Sequence, residues 1–187
     1  MSRLLFAGLF RLKKDKVFLS LLTAMILFGL CRIGVSYMQY QEDGTLPMLD
    51  QLFFGYTVFI GILSAAFLCM FIGTSYSDGG LRNQLIVGHD RRQVYLSNLM
   101  LSIGGSWLLC LGYGLPICAI GIPLFGNFQL EPLPFFQAFF GSLLMTAAFC
   151  SLICCLAMNQ SNKALSVIIA ILGLMVLLYI SALMDGQ

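Results

Sequence analysis

Five stretches of this chain are apolar over the length needed to cross a bilayer: Val17–Tyr37, Leu52–Thr74, Tyr95–Phe125, Phe135–Met158 and Ala164–Met184. A hydrocarbon layer about 30 Å thick is spanned by about 20 residues of helix. One such run can be the buried core helix of a soluble domain, but five within 187 residues cannot. Composition agrees, because 59% hydrophobic and 10% charged residues leave too little polar surface to coat a globule in water. The expected fold is an all-α integral membrane protein of about five transmembrane helices, forming one transmembrane domain over residues 1–187. The third stretch contains Pro116 and Pro123 and is expected to kink or unwind near its far end.

Orientation follows from the basic residues, which tend to stay on the cytoplasmic side of a span during insertion. Arg3, Arg11, Lys13, Lys14 and Lys16 precede the first stretch, Arg82, Arg91 and Arg92 lie between the second and third, and Lys163 lies between the fourth and fifth. Nine of the ten Lys and Arg residues therefore share one side, while the opposite loops hold Glu42, Asp43, Asp50, Glu131 and Asp185. This pattern predicts a multi-pass membrane protein with the N-terminus inside and the C-terminus outside. Arg32, inside the first span, is placed to reach the outer headgroups with its long stem. The first span is too long for a secretory signal and no Ala-x-Ala-type cleavage site follows it, so it reads as a retained anchor.

Several chemistries find no residues to carry them. None of the five stretches contains Asp, Glu or His, which buried hydrolases and proton-driven carriers place at membrane depth. No Gly-x-x-x-x-Gly-Lys-[Ser/Thr] phosphate loop occurs, so the chain is not expected to be an enzyme or to hydrolyse ATP itself. The basic residues are accounted for by topology and anionic lipid, leaving no patch for nucleic acid. All seven cysteines lie in the apolar stretches and read as small interface residues. A metal at Cys150, Cys154 and Cys155 would lack a fourth polar ligand, so no metal is expected. His89, the single histidine, reads as a loop residue.

Two segments carry more information. Residues 2–16 place Leu5, Phe6, Leu9 and Phe10 at helical spacing, with Arg3, Lys13 and Lys14 toward the other side. That suits an interfacial helix, apolar face in lipid and basic face on anionic headgroups, although plain positive-inside flanking sequence has the same composition. The loop 75–94 is punctuated as a short helix between two turns. Asp78 can cap a helix start, Gly79 and Gly80 permit a sharp turn, and residues 81–87 supply one to two turns carrying Arg82. Gly88 suits a left-handed terminus, and Asp90 with Gln93 can form a capping box on the next helix. Leu81, Leu85 and Ile86 give the short helix an apolar ridge, which can lie on lipid, on its own bundle or on a partner.

The run Ile72-Gly73-Thr74-Ser75-Tyr76-Ser77-Asp78-Gly79-Gly80-Leu81-Arg82-Asn83-Gln84-Leu85, followed by Gly88, Arg91 and Tyr95-Leu96-Ser97, resembles the corresponding region of ABC-2 type permeases, the membrane subunits of bacterial ABC exporters. The resemblance implies that residues 79–89 form a coupling helix docking on a separate ABC ATP-binding subunit, with Asp78, Gly79, Gly80, Leu81, Arg82, Leu85, Ile86, Gly88 and Arg91 as coupling residues. It implies that residues 2–16 form an interfacial elbow anchored by Arg3, Lys13 and Lys14. It also implies a second permease chain, as homo- or heterodimer, and ATP with magnesium held by the partner subunit rather than by this chain. Many members have an acidic residue where this chain has Ser75, and Thr or Ser where it has Gly80. Members usually have six spans, so on this resemblance the chain lacks the sixth, as a truncated product, a fragment or a subunit completed by a partner. Small residues four apart, Gly61 with Ala65, Ser102 with Ser106 and Ala138 with Ser142, suit close helix packing. The absence of charge at depth favours an amphipathic or peptide-like cargo. The competing class is a non-transporting membrane scaffold, immunity or regulatory protein.

Overall fold

A computed structural model of the protein describes residues 2–44, 46–77, 79–80, 86, 88, 90–126, 128–159 and 162–185. The described chain is helical throughout: α1 (Ser2–Lys14), α2 (Lys16–Asp43), α3 (Leu49–Phe54), α4 (Thr57–Ser77), α5 (Arg91–Pro116), a π-helical turn (Ile117–Gly121), α6 (Ile122–Phe125), α7 (Pro132–Asn159) and α8 (Lys163–Asp185). Among the described residues, four stretches are long and apolar enough to cross a membrane: Lys16–Glu42, Leu49–Thr74, Arg91–Phe125 and Pro132–Asn159. In α8, 23 residues long, the described apolar stretch is Ala164–Val176.

The bundle is organised around α4 and α5. Helix α2 lies along α5, while α4 packs on α7 and α8, and α5 also contacts α7 and α1. Their shared interior holds Met25, Phe67, Leu68, Ile72, Leu109, Tyr113 and Cys150, each almost fully buried. Lipid offers the helices as much apolar contact as they offer one another, so close packing and internal hydrogen bonds must hold the bundle together. Gly61, Ala65, Ser102 and Ser106 do lie in the buried interior, whereas Ala138 faces outward, so the Ala138–Ser142 pair does not form a helix interface. Cys150 Sγ donates to Ser106 Oγ across α7 and α5 at 3.1 Å.

The structure adds detail to two of these stretches and corrects the placement of one acidic residue. The second apolar run is two helices, because the chain turns at Gly55–Tyr56, where the Tyr113 hydroxyl donates to the Leu52 carbonyl at 2.9 Å. That hydroxyl sits 2.8 Å from where a Gly55 Cβ would stand, so the turn depends on a residue without one. The third run leaves α-helical geometry just past Pro116, in the π-helical turn at Ile117–Gly121, and resumes as helix through Pro123 to Phe125, in line with the disturbance expected at its prolines. Asp50, expected in a loop, is buried in the first turn of α3, within the apolar run.

Candidate functional site

The bundle end that carries the clustered basic residues is built from the last turns of α4, the first turns of α5 and the docked helix α1. Asp15 separates α1 from α2 and caps the latter, its carboxylate accepting from the Val17 amide at 2.8 Å. The break lets α1 run as an independent helix and lie against α5. Leu12 is buried in that contact and Gly8 lies directly against the Leu101 side chain. Phe6, Leu9 and Phe10 face outward, 73%, 51% and 63% exposed. Lys13 and Lys14 are exposed, and the Lys14 ammonium stands 4.5 Å from the centre of the Phe10 ring. Arg3 belongs to α1, but its side chain is not among those described.

Arg11 takes a different course from the other basic residues of α1. Its Nη2 donates to the Phe71 carbonyl at 3.1 Å and to Thr74 Oγ1 at 2.6 Å, and its guanidinium carbon lies 4.9 Å from the Phe71 ring centre. Thr74 in turn donates to the Phe71 carbonyl at 2.9 Å. A planar cation with several fixed donors suits such a junction better than a lysine would. The last turn of α4 is thus tied to α1 immediately before the chain enters the 75–94 loop. The sequence reading did not single out Arg11. Its signal was positional: residues 8, 11 and 12 share the helix face that docks on the bundle, whereas Lys13 and Lys14 do not.

Of the nine expected coupling residues, Asp78, Leu81, Arg82 and Leu85 lie outside the described residues, as does His89. The others define the edges of the segment. Gly79 turns with φ of +68° and Gly88 with φ of +95°, backbone states that glycine adopts without a Cβ penalty. Between them Gly80 and Ile86 are helical, and the Ile86 side chain is 71% exposed. Arg91 opens α5 and is exposed. Asp90 occupies the capping position with extended backbone, but its side chain makes no capping hydrogen bond, so the expected box with Gln93 is not formed. The first turn of α5 closes through the backbone, Val94 donating to the Asp90 carbonyl at 3.1 Å.

A cavity of about 210 Å³ opens between α4, α7 and α8. Its wall is mostly apolar, with Ile60, Met145, Phe149 and Leu174, and it carries the hydroxyl-bearing residues Thr57, Ser142 and Thr146. The Ser142 hydroxyl is 2.6 Å from that of Tyr56, so this polar edge is joined to the turn between α3 and α4. Among the described residues no group of three or more His, Cys, Asp and Glu is assembled as a metal site.

Bilayer-length apolar helices, a helix tied across one end of the bundle and a glycine-bounded loop beside it define a multi-pass membrane protein, all-α in class. Residues 5–177 match the family model described as ABC-2 family transporter protein, and the chain belongs to that family. It is accordingly a membrane permease component of an ABC transporter, which associates with an ABC ATP-binding subunit. Neither a curated protein nor a solved structure matches this chain.

Proposed function

We propose that the chain is the permease of an ATP-driven exporter in a bacterial cytoplasmic membrane, working as a dimer with its N-terminus inside and C-terminus outside. The observation that carries this reading is the Arg11 junction. It fixes α1 to the last turn of α4, so that a push on the 79–89 segment is delivered to α4 and to the interfacial helix together. Residues 79–89 are the coupling element, and Ile86 is an exposed apolar contact for the partner. ATP and magnesium reside on that partner, and this chain performs no hydrolysis. Closure of two ATP-binding subunits then biases the bundle between inward- and outward-open arrangements.

The cargo is amphipathic or peptide-like. The cavity between α4, α7 and α8 supports this: its apolar wall suits a hydrophobic segment, and its hydroxyl edge can accept or donate hydrogen bonds without a buried charge. The test is purification of the full chain from native membrane, assayed for a stoichiometric ATP-binding subunit and for ATPase activity. Replacing Arg82 or Leu85 is expected to weaken both by at least about tenfold, the loss of about 1.4 kcal/mol at one contact. A complex without an ATP-binding subunit, or variants with unchanged association and turnover, would favour a non-transporting scaffold or immunity protein instead.

A further inference from the structure

The opposite end of the bundle holds a charged group that the coupling reading does not use. Asp50 is 8% exposed, in the first turn of α3. Its Oδ2 accepts from the backbone amides of Gln129 at 3.0 Å and Leu130 at 3.2 Å, in the connection between α6 and α7. Among the described residues, none donates a hydrogen bond to its buried Oδ1. Beneath this carboxylate the same two parts of the chain meet through rings. Phe53 of α3 lies 5.8 Å from Phe128 and 5.3 Å from Phe135, and Phe128 lies 4.7 Å from Phe135. The α3 helix is therefore joined to the α6–α7 connection by one side chain above and an aromatic stack below.

We propose that Asp50 is the clasp of an outer gate: it holds the backbone of Gln129 and Leu130 over the Phe53–Phe128–Phe135 stack while the bundle is closed, and lets go when the bundle opens outward. The imbalance of the carboxylate is the physical basis. Two charge-assisted hydrogen bonds favour the closed arrangement, while a desolvated oxygen without a donor opposes it. Opening would lose the two bonds but return both oxygens to water, so the two arrangements lie close in free energy and a modest push selects between them. The aromatic contacts are non-directional and re-form readily, which leaves the carboxylate to set the register of closure.

This inference rests on the exporter reading, and the experiment separates the two. Hydrogen–deuterium exchange over residues 128–131 is measured on the full chain with its ATP-binding subunit in lipid nanodiscs, at rest and with ATP trapped by vanadate. At rest, the Gln129 and Leu130 amides are expected to exchange at least tenfold more slowly in the wild type than in Asp50→Ala, with Asp50→Asn, which keeps an acceptor but loses the charge, between the two. Gln129→Pro, which removes one donor and leaves Asp50 in place, is expected to speed exchange at Leu130. It guards against a folding defect in Asp50→Ala. Trapped ATP is expected to bring the wild-type rate to that of Asp50→Ala. Equal resting rates in wild type and Asp50→Ala would overturn the clasp, and protection unchanged by trapped ATP would overturn the gate. Failure of the exporter reading shows separately, as a missing ATP-binding subunit with the resting protection intact.

Discussion

Arg11 and Thr74 lie 63 residues apart in the chain, and the Arg11 guanidinium donates a 2.6 Å hydrogen bond to the Thr74 hydroxyl. The same Nη2 reaches the Phe71 carbonyl, so one side chain secures the last turns of α4 against α1. Arg11→Ala is expected to lower stability by about 1.5–3 kcal/mol, the range for hydrogen bonds to a charged donor. Arg11→Lys should recover part of the stability but less of the ATPase stimulation, because an ammonium lacks the planar guanidinium face that lies on the Phe71 ring while one nitrogen makes the two bonds. Thermal unfolding in detergent and ATPase turnover of the reconstituted complex check both halves. Equal rescue of both by lysine would reduce Arg11 to a plain anchor.

Gly104 and Gly105 are neighbours with opposite surroundings. A Cβ on Gly105 would stand 2.8 Å from Phe67 Cε1, and Phe67 is fully buried between the rings of Phe18 and Phe71. Gly105→Ala is therefore expected to destabilise by about 1–3 kcal/mol through overpacking. Nothing lies within 4 Å of a Cβ on Gly104, so Gly104→Ala is expected to be neutral or to stabilise the helix by up to about 1 kcal/mol. Melting temperatures of the two single variants, compared side by side, decide the matter.

Tyr113→Phe removes the buried hydrogen bond to the Leu52 carbonyl that shapes the α3–α4 turn. The Leu52 carbonyl also accepts from the Gly55 amide at 3.2 Å, so it is not left bare. The expected cost is accordingly modest, about 1 kcal/mol. A loss beyond about 3 kcal/mol in equilibrium unfolding would mean that the hydroxyl supports more than this carbonyl.

Ile86→Ser should leave the melting temperature of the isolated chain unchanged, since the side chain is 71% exposed and surface changes cost within about 0.5 kcal/mol. Capture of the ATP-binding subunit should fall severalfold if Ile86 is a contact. Size-exclusion chromatography of the mixed subunits reads the two effects independently.

Lys13 and Lys14 are exposed at the end of α1, where anionic headgroups can reach them. Replacing both by Gln is expected to remove about 1 kcal/mol of surface attraction per charge, and less for Lys14, which also rests on Phe10. The measurement is ATPase stimulation in vesicles across a series of phosphatidylglycerol contents. A response to anionic lipid identical to that of the wild type would remove headgroup binding from the role of α1.

The membrane class and the approximate positions of the helices were legible from residue type alone. A bilayer accepts only helices or closed barrels, and long apolar runs of helix length leave one answer. The turns at Gly79 and Gly88 were legible too, because the backbone states they adopt are ones that glycine alone enters freely. The chemistry of the 81–85 stretch rests on its sequence, since those residues lie outside the described ones. The resemblance around residues 72–97 pointed to the family that the match over residues 5–177 shows.

What the tertiary structure alone decided were the contacts between positions far apart in the chain. Arg11 reads as one more flanking cation until Phe71 and Thr74 are seen 60 and 63 residues away. Asp50 reads as a loop carboxylate until Gln129 and Leu130, 79 and 80 residues on, supply their amides. The break between α3 and α4 likewise depends on the hydroxyl of Tyr113, 61 residues past Leu52. Hydropathy is a property of a short window, whereas the partner of a polar group is set by how helices cross. A one-dimensional pattern therefore determines which segments enter the membrane, and the packing of those segments determines which charges are bound and which remain free to act.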